Sequence, residues 1–133
     1  VTGVDVVKLE QAVVLQGGFP LLSGVDLVIH QASLNVFVGP NGAGKTSLLR
    51  LLGGLCGLSA GRGHVLGIDL TTGDRRLLRR RVGWLGHEGS FYDDLTVREN
   101  LVFAARALGR PTDLIEESLA RVGLTSRSST ITK

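Results

Sequence analysis

The eight residues GPNGAGKT at positions 39–46 carry the most explicit chemistry in the chain. They fit the pattern G-x-x-x-x-G-K-[ST], in which each residue type has its own physical task. Glycine permits backbone conformations that other residues resist, so successive N–H groups can turn inward and surround an anion. Gly39, Pro40, Asn41, Gly42, Ala43 and Gly44 therefore form a candidate cradle for nucleotide phosphates. A helix beginning near Lys45 adds its positive N-terminal end to the same place. Lys45 is expected to reach the β- and γ-phosphate oxygens and to serve catalysis. Thr46 is expected to hold Mg²⁺ through its hydroxyl, and Ser47 to bond a nearer phosphate. A glycine-rich turn that binds nothing is the alternative. The context argues against it, because the motif lies between a predicted strand and a predicted helix.

Those elements come from periodicity. Residues 4–10 (VDVVKLE), 24–29 (GVDLVI) and 34–39 (LNVFVG) read as strands, rich in β-branched residues and bounded by Gly, Pro and Ser. The third is apolar on both faces, as a central buried strand would be. After the loop, Leu48, Leu49, Leu51, Leu52 and Leu55 are too many for one helix face and predict a largely buried helix that ends at Gly53 and Gly54. Residues 61–69 read as a short strand and turn, and 81–87 (RVGWLGH) as a further strand. Thr96 and Glu99 are spaced as a capping box at the start of a helix whose apolar stripe is Val97, Leu101, Ala104 and Leu108. Asp113 opens a second helix with the stripe Ile115, Leu119 and Val122, closed by Gly123. The pattern predicts an α/β nucleotide-binding core with a helical appendage.

At 133 residues the chain is one modest domain or part of a larger one. Its net charge of +3 is supplied mostly by arginine, clustered in RRLLRRR at 75–81. This run reads as a solvated helix face. It has no aromatic stacking platform beside it, and no nucleic acid partner is expected. The single cysteine, Cys56, lies in an apolar run and reads as a buried structural thiol. No apolar stretch approaches membrane-spanning length, so a membrane role requires a partner.

The spelling of the loop, with Pro40-Asn41 before Gly42-Ala43-Gly44, and the segments around it resemble the ATP-binding subunit of ABC transporters from about residue 9 to 124. PLLSGVDLVI is similar to that family's strand before the loop, and SAGRGHVLGIDL to its hairpin after the first helix. RRRVGWLGHEGSFYDDLTVRENLVFAARALG resembles its Gln-loop and the helical subdomain that follows. The resemblance implies an α/β P-loop NTPase core, with an incomplete sheet, over residues 1–90 and the start of a helical subdomain over 91–133. It implies ATP and Mg²⁺ as cofactors, a membrane-spanning transporter subunit and a second ATP-binding subunit as partners, and a cytoplasmic site on the inner face of the cell membrane.

Several positions depart from the family's spelling. Gln16 stands where the family often has an adenine-stacking aromatic ring; Phe19 is nearby, but core packing is the expectation for it. Ala32 and Ser33 replace a usual Gly-Glu turn. His87 stands where the family has Gln, which implies a role near Mg²⁺ and the attacking water, and this variant is similar to the haem-exporter, cytochrome c maturation branch. Ser90, Phe91 and Tyr92 lie where the family meets its membrane subunit, though Phe91 and Tyr92 read equally well as loop packing. The family's signature motif, its catalytic Glu and its switch His have no counterpart among these residues. The expectation is a fragment that binds ATP without hydrolysing it. The rival readings are a soluble ABC-type ATPase acting on DNA or ribosomes and a non-hydrolysing nucleotide-binding module. A GTPase is disfavoured by the lack of an Asn-Lys-x-Asp motif.

Overall fold

The computed structural model describes residues 3–86, 91–127 and 129. The chain divides into two units, Val1–Trp84 and Leu85–Lys133. The first rests on a four-stranded antiparallel sheet in the order β2-β1-β3-β4. Strands β1 (Asp5–Gln16) and β2 (Phe19–His30) are joined through Gly17 and Gly18, at φ 58° and 84°. Two left-handed residues in succession give the tight hairpin turn that matches strand twist. Strands β3 (Ala60–Val65) and β4 (Ile68–Asp69) turn the same way over Leu66 and Gly67. Pro20, which has no N–H, is tolerated because β2 lies at the sheet edge.

A bulge in β1 keeps its apolar side facing the core. Val7 and Leu9 point inward, and so do Ala12 and Val14, one residue out of phase. The extra residue is Gln11, at φ 48°, where the register shifts in both pairings of β1. Its N–H donates to Asp26 Oδ1 at 2.8 Å, which anchors the kink. Gly61 lies opposite, and any Cβ there would stand 2.1 Å from the Gln11 carbonyl oxygen.

Helix α1 (Lys45–Leu52) buries Leu48 and Leu51 into the core of Val7, Leu9, Val14, Leu22, Val65 and Leu78. Leu49 and Leu55 remain exposed, so the helix is amphipathic rather than largely buried as expected. It ends as predicted: the N–H groups of Gly53 and Gly54 reach the carbonyls of Leu49 and Leu51, with Gly54 left-handed at φ 70°. The arginine run forms helix α2 (Arg75–Arg81), started by Asp74, whose carboxylate accepts the Arg76 N–H. Leu78 anchors it in the core, and two of its arginines are used locally. Arg79 donates to the Gly54 carbonyl at 2.9 Å and Arg81 to the Leu66 carbonyl at 3.0 Å.

Two predicted strands are not formed among the described residues. Residues 33–40 have no ladder partner among the described residues, and Leu34 and Val38 are 92% and 87% exposed. A strand exists only when a neighbour accepts and donates its backbone bonds. Of 81–87, Arg81 closes α2 and 83–86 adopt no regular structure.

The second unit contains helices α3 (Val97–Ala107) and α4 (Ile115–Arg121) and a short 3₁₀ turn at Thr125–Arg127. The predicted capping box is present: the Thr96 hydroxyl accepts the Glu99 N–H while the Glu99 carboxylate accepts the Thr96 N–H. The predicted stripe of α3 is only half correct. Val97 and Leu101 are partly buried, Ala104 and Leu108 are exposed, and the buried residue is Asn100. In α4, Ile115 and Leu119 are buried while Val122 is exposed past the helix end, and Leu114 rather than Asp113 precedes the first turn. Gly123 closes the helix at φ 70°. Arg98 and Glu116 form an ion pair between the two helices.

Candidate phosphate-binding site

The loop emerges from residues 33–38 and delivers the chain to α1 through Gly44, which is left-handed at φ 91°. A Cβ at Gly44 would lie 2.9 Å from both the Leu21 carbonyl oxygen and Leu22 Cδ2. Only glycine lets the loop pass this close to β2. The Leu48 N–H bonds the Gly44 carbonyl at 2.8 Å, closing the first helical turn. The N–H groups of Lys45, Thr46 and Ser47 thus stand at the helix start with no intrahelical acceptor, at the positive end of its dipole.

Lys45 turns back across the loop. Its ammonium donates to the carbonyls of Gly39 and Pro40, both at 2.7 Å. An ammonium has three protons, so two fix the loop's span and a third is left for an anion. Ala43 N–H bonds the Pro40 carbonyl at 3.3 Å and tightens the same turn. Beside this strap lies a cavity of about 310 Å³, with Asn41, Gly42, Gly44, Lys45, Thr46 and Ser47 on one side and Pro20 and Leu21 on the other. Gly39 and Pro40 hold the loop through their carbonyls on the Lys45 ammonium, and Ala43 does so through its N–H on the Pro40 carbonyl. The donor set suits phosphate and a hard cation: free helix-start amides, an ammonium and two hydroxyls. Among the described residues, no carboxylate lines the cavity.

The remaining sequence candidates are distributed elsewhere. His87 and Ser90 lie outside the described residues. Phe19 is 75% exposed, not packed in the core, because as the first residue after the Gly17-Gly18 turn it pairs with Gln16 at the hairpin end. Cys56 is half-buried, and burial pushes its thiol pKa up, against the smaller pull of Arg50 and Arg75. Tyr92 meets Phe103 edge to face at 4.9 Å, and both rings stay half-exposed, as does Phe91. Glu99 is committed to its capping box and Glu116 to Arg98.

Sequence reasoning missed two contributions. Pro20 and Leu21 form the wall facing the loop by position, and nothing in their residue types signals it. Asn100, 4% exposed, accepts from the Tyr92 N–H at 2.8 Å and donates to the carbonyls of Tyr92, Leu95 and Thr96. An Asn in the middle of an otherwise apolar helix face was the available signal.

Comparisons with known proteins agree on one family. A family model described as ABC transporter matches residues 22–133. The methionine import ATP-binding protein MetN of Caulobacter vibrioides is 38% identical over 120 residues, 85% of this chain and 36% of that protein. The cytochrome c biogenesis ATP-binding export protein CcmA of Nitrobacter winogradskyi is 40% identical over 111 residues, 83% of this chain and 53% of that one. A second such export protein, from Cupriavidus metallidurans, is 37% identical over 121 residues, 90% and 57%. This chain therefore spans between about a third and just over half the length of these relatives. Among solved structures, the ADP conformation of an ATP-binding cassette of an ABC transporter superposes with a TM-score of 0.75 at 20% identity, over 96% of this chain and 57% of that one. A nucleotide-free cassette gives 0.71. The loop geometry, the family match and the superposition converge: the chain has the α/β P-loop NTPase fold and belongs to the ABC transporter family.

Proposed function

We propose that this chain is the MgATP-binding part of a transporter's ATPase subunit, with residues 1–90 as the ATP-binding core and 91–133 as the start of the helical subdomain. The observation that carries this is the loop itself, where Lys45 straps Gly39 and Pro40 beside a cavity floored by the first turn of α1. The helix-start N–H groups and the third Lys45 proton take the phosphates. Thr46 offers its hydroxyl to Mg²⁺, and Ser47 bonds a nearer phosphate. Bound Mg²⁺ supplies charge neutralisation at the phosphates, while this chain's own groups orient them.

Water activation also requires a positioned base, and none of the described residues lining the cavity is an acid. In this reading the acid and the signature motif come from outside these residues, and chain 1–133 binds MgATP without turning it over. His87 takes the place of the family's Gln beside the metal. That position, and the similarity to cytochrome c biogenesis export proteins, favour an exporter of that branch. The partners are a membrane-spanning subunit and a second ATP-binding subunit. Among the described residues no helix is long and apolar enough to cross a membrane, in keeping with a peripheral cytoplasmic subunit. Half-exposed Phe91 and Tyr92 are the proposed contact with the membrane subunit.

The test is calorimetric titration of the full-length protein with a non-hydrolysable ATP analogue and Mg²⁺. Lys45→Ala removes a charge-assisted contact worth roughly 1.5–3 kcal/mol and should weaken binding at least tenfold. Equal affinity in the two proteins defeats the proposal.

A further inference from the structure

Gln11 sits in a conformation that its residue type resists. At φ 48° it occupies the left-handed region that glycine takes freely. A glycine there would form the same bulge. What glutamine adds is a second bond to Asp26: beside the backbone N–H on Oδ1, the side-chain Nε2 donates to Oδ2. The Asp26 carboxylate thus holds the bulged residue of β1 through both its oxygens, and both bonds are charge-assisted. The two side chains are exposed, so the pair buries little, and what it fixes is the register of β2 on β1.

That register is irregular over one short stretch. From Leu9 to Ala12, three steps of β1 face two of β2; from Ala12 to Val14, two face three; from Val14 to Leu15, one faces two. The first excess is Gln11. The second falls at Gly24, left-handed at φ 73°, where a Cβ would stand 3.2 Å from the Gln11 Oε1. Successive bulges re-aim the strand that carries them, here residues 20–25 of β2. This stretch backs the phosphate loop. The Leu21 carbonyl and Leu22 Cδ2 crowd Gly44, and Leu22 and Val25 line a cavity of about 360 Å³ together with Ala43, Gly44 and Lys45. Val25 directly precedes Asp26 and pairs with Ala12, which directly follows Gln11. One residue therefore separates the Gln11–Asp26 pair from the wall behind the loop.

We infer that Gln11 and Asp26 are positioning residues for the phosphate loop: their two-bond pairing sets the register that places Leu22 and Val25 behind Gly44. The inference rests on the phosphate-loop reading above. It differs from a purely structural role in one respect, because nucleotide affinity follows the state of this pair and not the stability of the fold as a whole.

Full-length variants are titrated calorimetrically with a non-hydrolysable ATP analogue and Mg²⁺ where each is folded, and urea denaturation measures their stability. Gln11→Glu sets two carboxylates against each other and should weaken nucleotide binding about three- to tenfold. Adding Asp26→Asn puts the amide on β2 and the carboxylate on β1, which restores the pair with donor and acceptor exchanged. Affinity should then return to within about twofold of the unaltered protein. Gln11→Gly suits the backbone, keeps the N–H bond and drops only the side-chain bond, so it folds without strain and should weaken binding in the same direction. Val65→Ala opens space in the same core but lines neither cavity at the loop; it should lower stability and leave affinity in place. The Leu48 N–H, bonded to the Gly44 carbonyl, gives a local readout: its exchange should quicken in Gln11→Glu and recover in the double variant. Three results overturn the positioning role alone: native affinity in both Gln11→Glu and Gln11→Gly, a loss that Asp26→Asn does not repair, or an equal loss in Val65→Ala. Failure of the unaltered protein to bind the nucleotide defeats the phosphate-loop reading itself.

Discussion

Replacing Gly44 by Ala tests how the loop is held, and Gly42 supplies the control. Both glycines are left-handed, at φ 91° and 85°. An L-residue in that region costs roughly 1–2 kcal/mol. The two differ in what a methyl group would meet. At Gly42 it would project into open space, whereas at Gly44 it would come within 2.9 Å of the Leu21 carbonyl and of Leu22 Cδ2. Leu22 belongs to the buried core, where overpacking costs typically about 1–3 kcal/mol. Gly42→Ala should therefore lose about 1–2 kcal/mol of stability, and Gly44→Ala about 2–5 kcal/mol. Relief of the clash must also move Leu21, a wall of the phosphate cavity. Nucleotide affinity should accordingly fall further in Gly44→Ala, about tenfold for each 1.4 kcal/mol that reaches the site. Urea denaturation and calorimetric titration of the full-length variants read the two quantities. Equal losses in Gly42→Ala and Gly44→Ala would refute the steric reasoning.

Asn100→Ala strips four hydrogen bonds from the backbone of residues 92–96 and should cost roughly 2–3 kcal/mol, with faster amide exchange at Tyr92 as its local sign. Leu51→Ala, at a side chain with no exposed surface, should cost about 2–5 kcal/mol in the first unit by urea denaturation. Hydrogen bonds from the Thr96 hydroxyl and then the Thr96 N–H hold the Glu99 carboxyl below its ordinary value of 4.5. Its capping contribution is therefore complete above about pH 4.5 and fades as the pH drops through the lower folded value. Amide exchange in α3 should show this acid limb in the native protein and lose it in Glu99→Gln, which retains the capping geometry without titrating there. Chain 1–133 by itself should self-associate through the exposed apolar residues Leu34, Val36 and Val38, and Val36→Lys should shift its sedimentation toward monomer.

Local chemistry made much of this protein legible in its amino-acid order. The phosphate loop, the stop of α1 at Gly53 and Gly54, and the Thr96–Glu99 box each depend on a few adjacent residues with sharply defined conformational or hydrogen-bonding preferences. The same holds for the ABC resemblance, which rests on short spellings that the family match later supported. Features that depend on partners distant in sequence were not legible. Residues 34–39 have the composition of a buried strand, yet strand pairing is a property of two segments, and none of the described residues pairs with them. Periodicity offered five leucines between positions 48 and 55 and could not say that Leu48 and Leu51 would be buried while Leu49 and Leu55 stay exposed. The irregular register of β1 likewise became visible only with Gln11, Asp26 and Gly61 in place together. Pro20 and Leu21 reach the site because a hairpin folds β2 against the loop, and Asn100 is buried because a neighbouring loop offers it four backbone partners. Conformational preference belongs to single residues and their neighbours and can be read in order along the chain, whereas burial and pairing belong to the contacts that the folded chain makes.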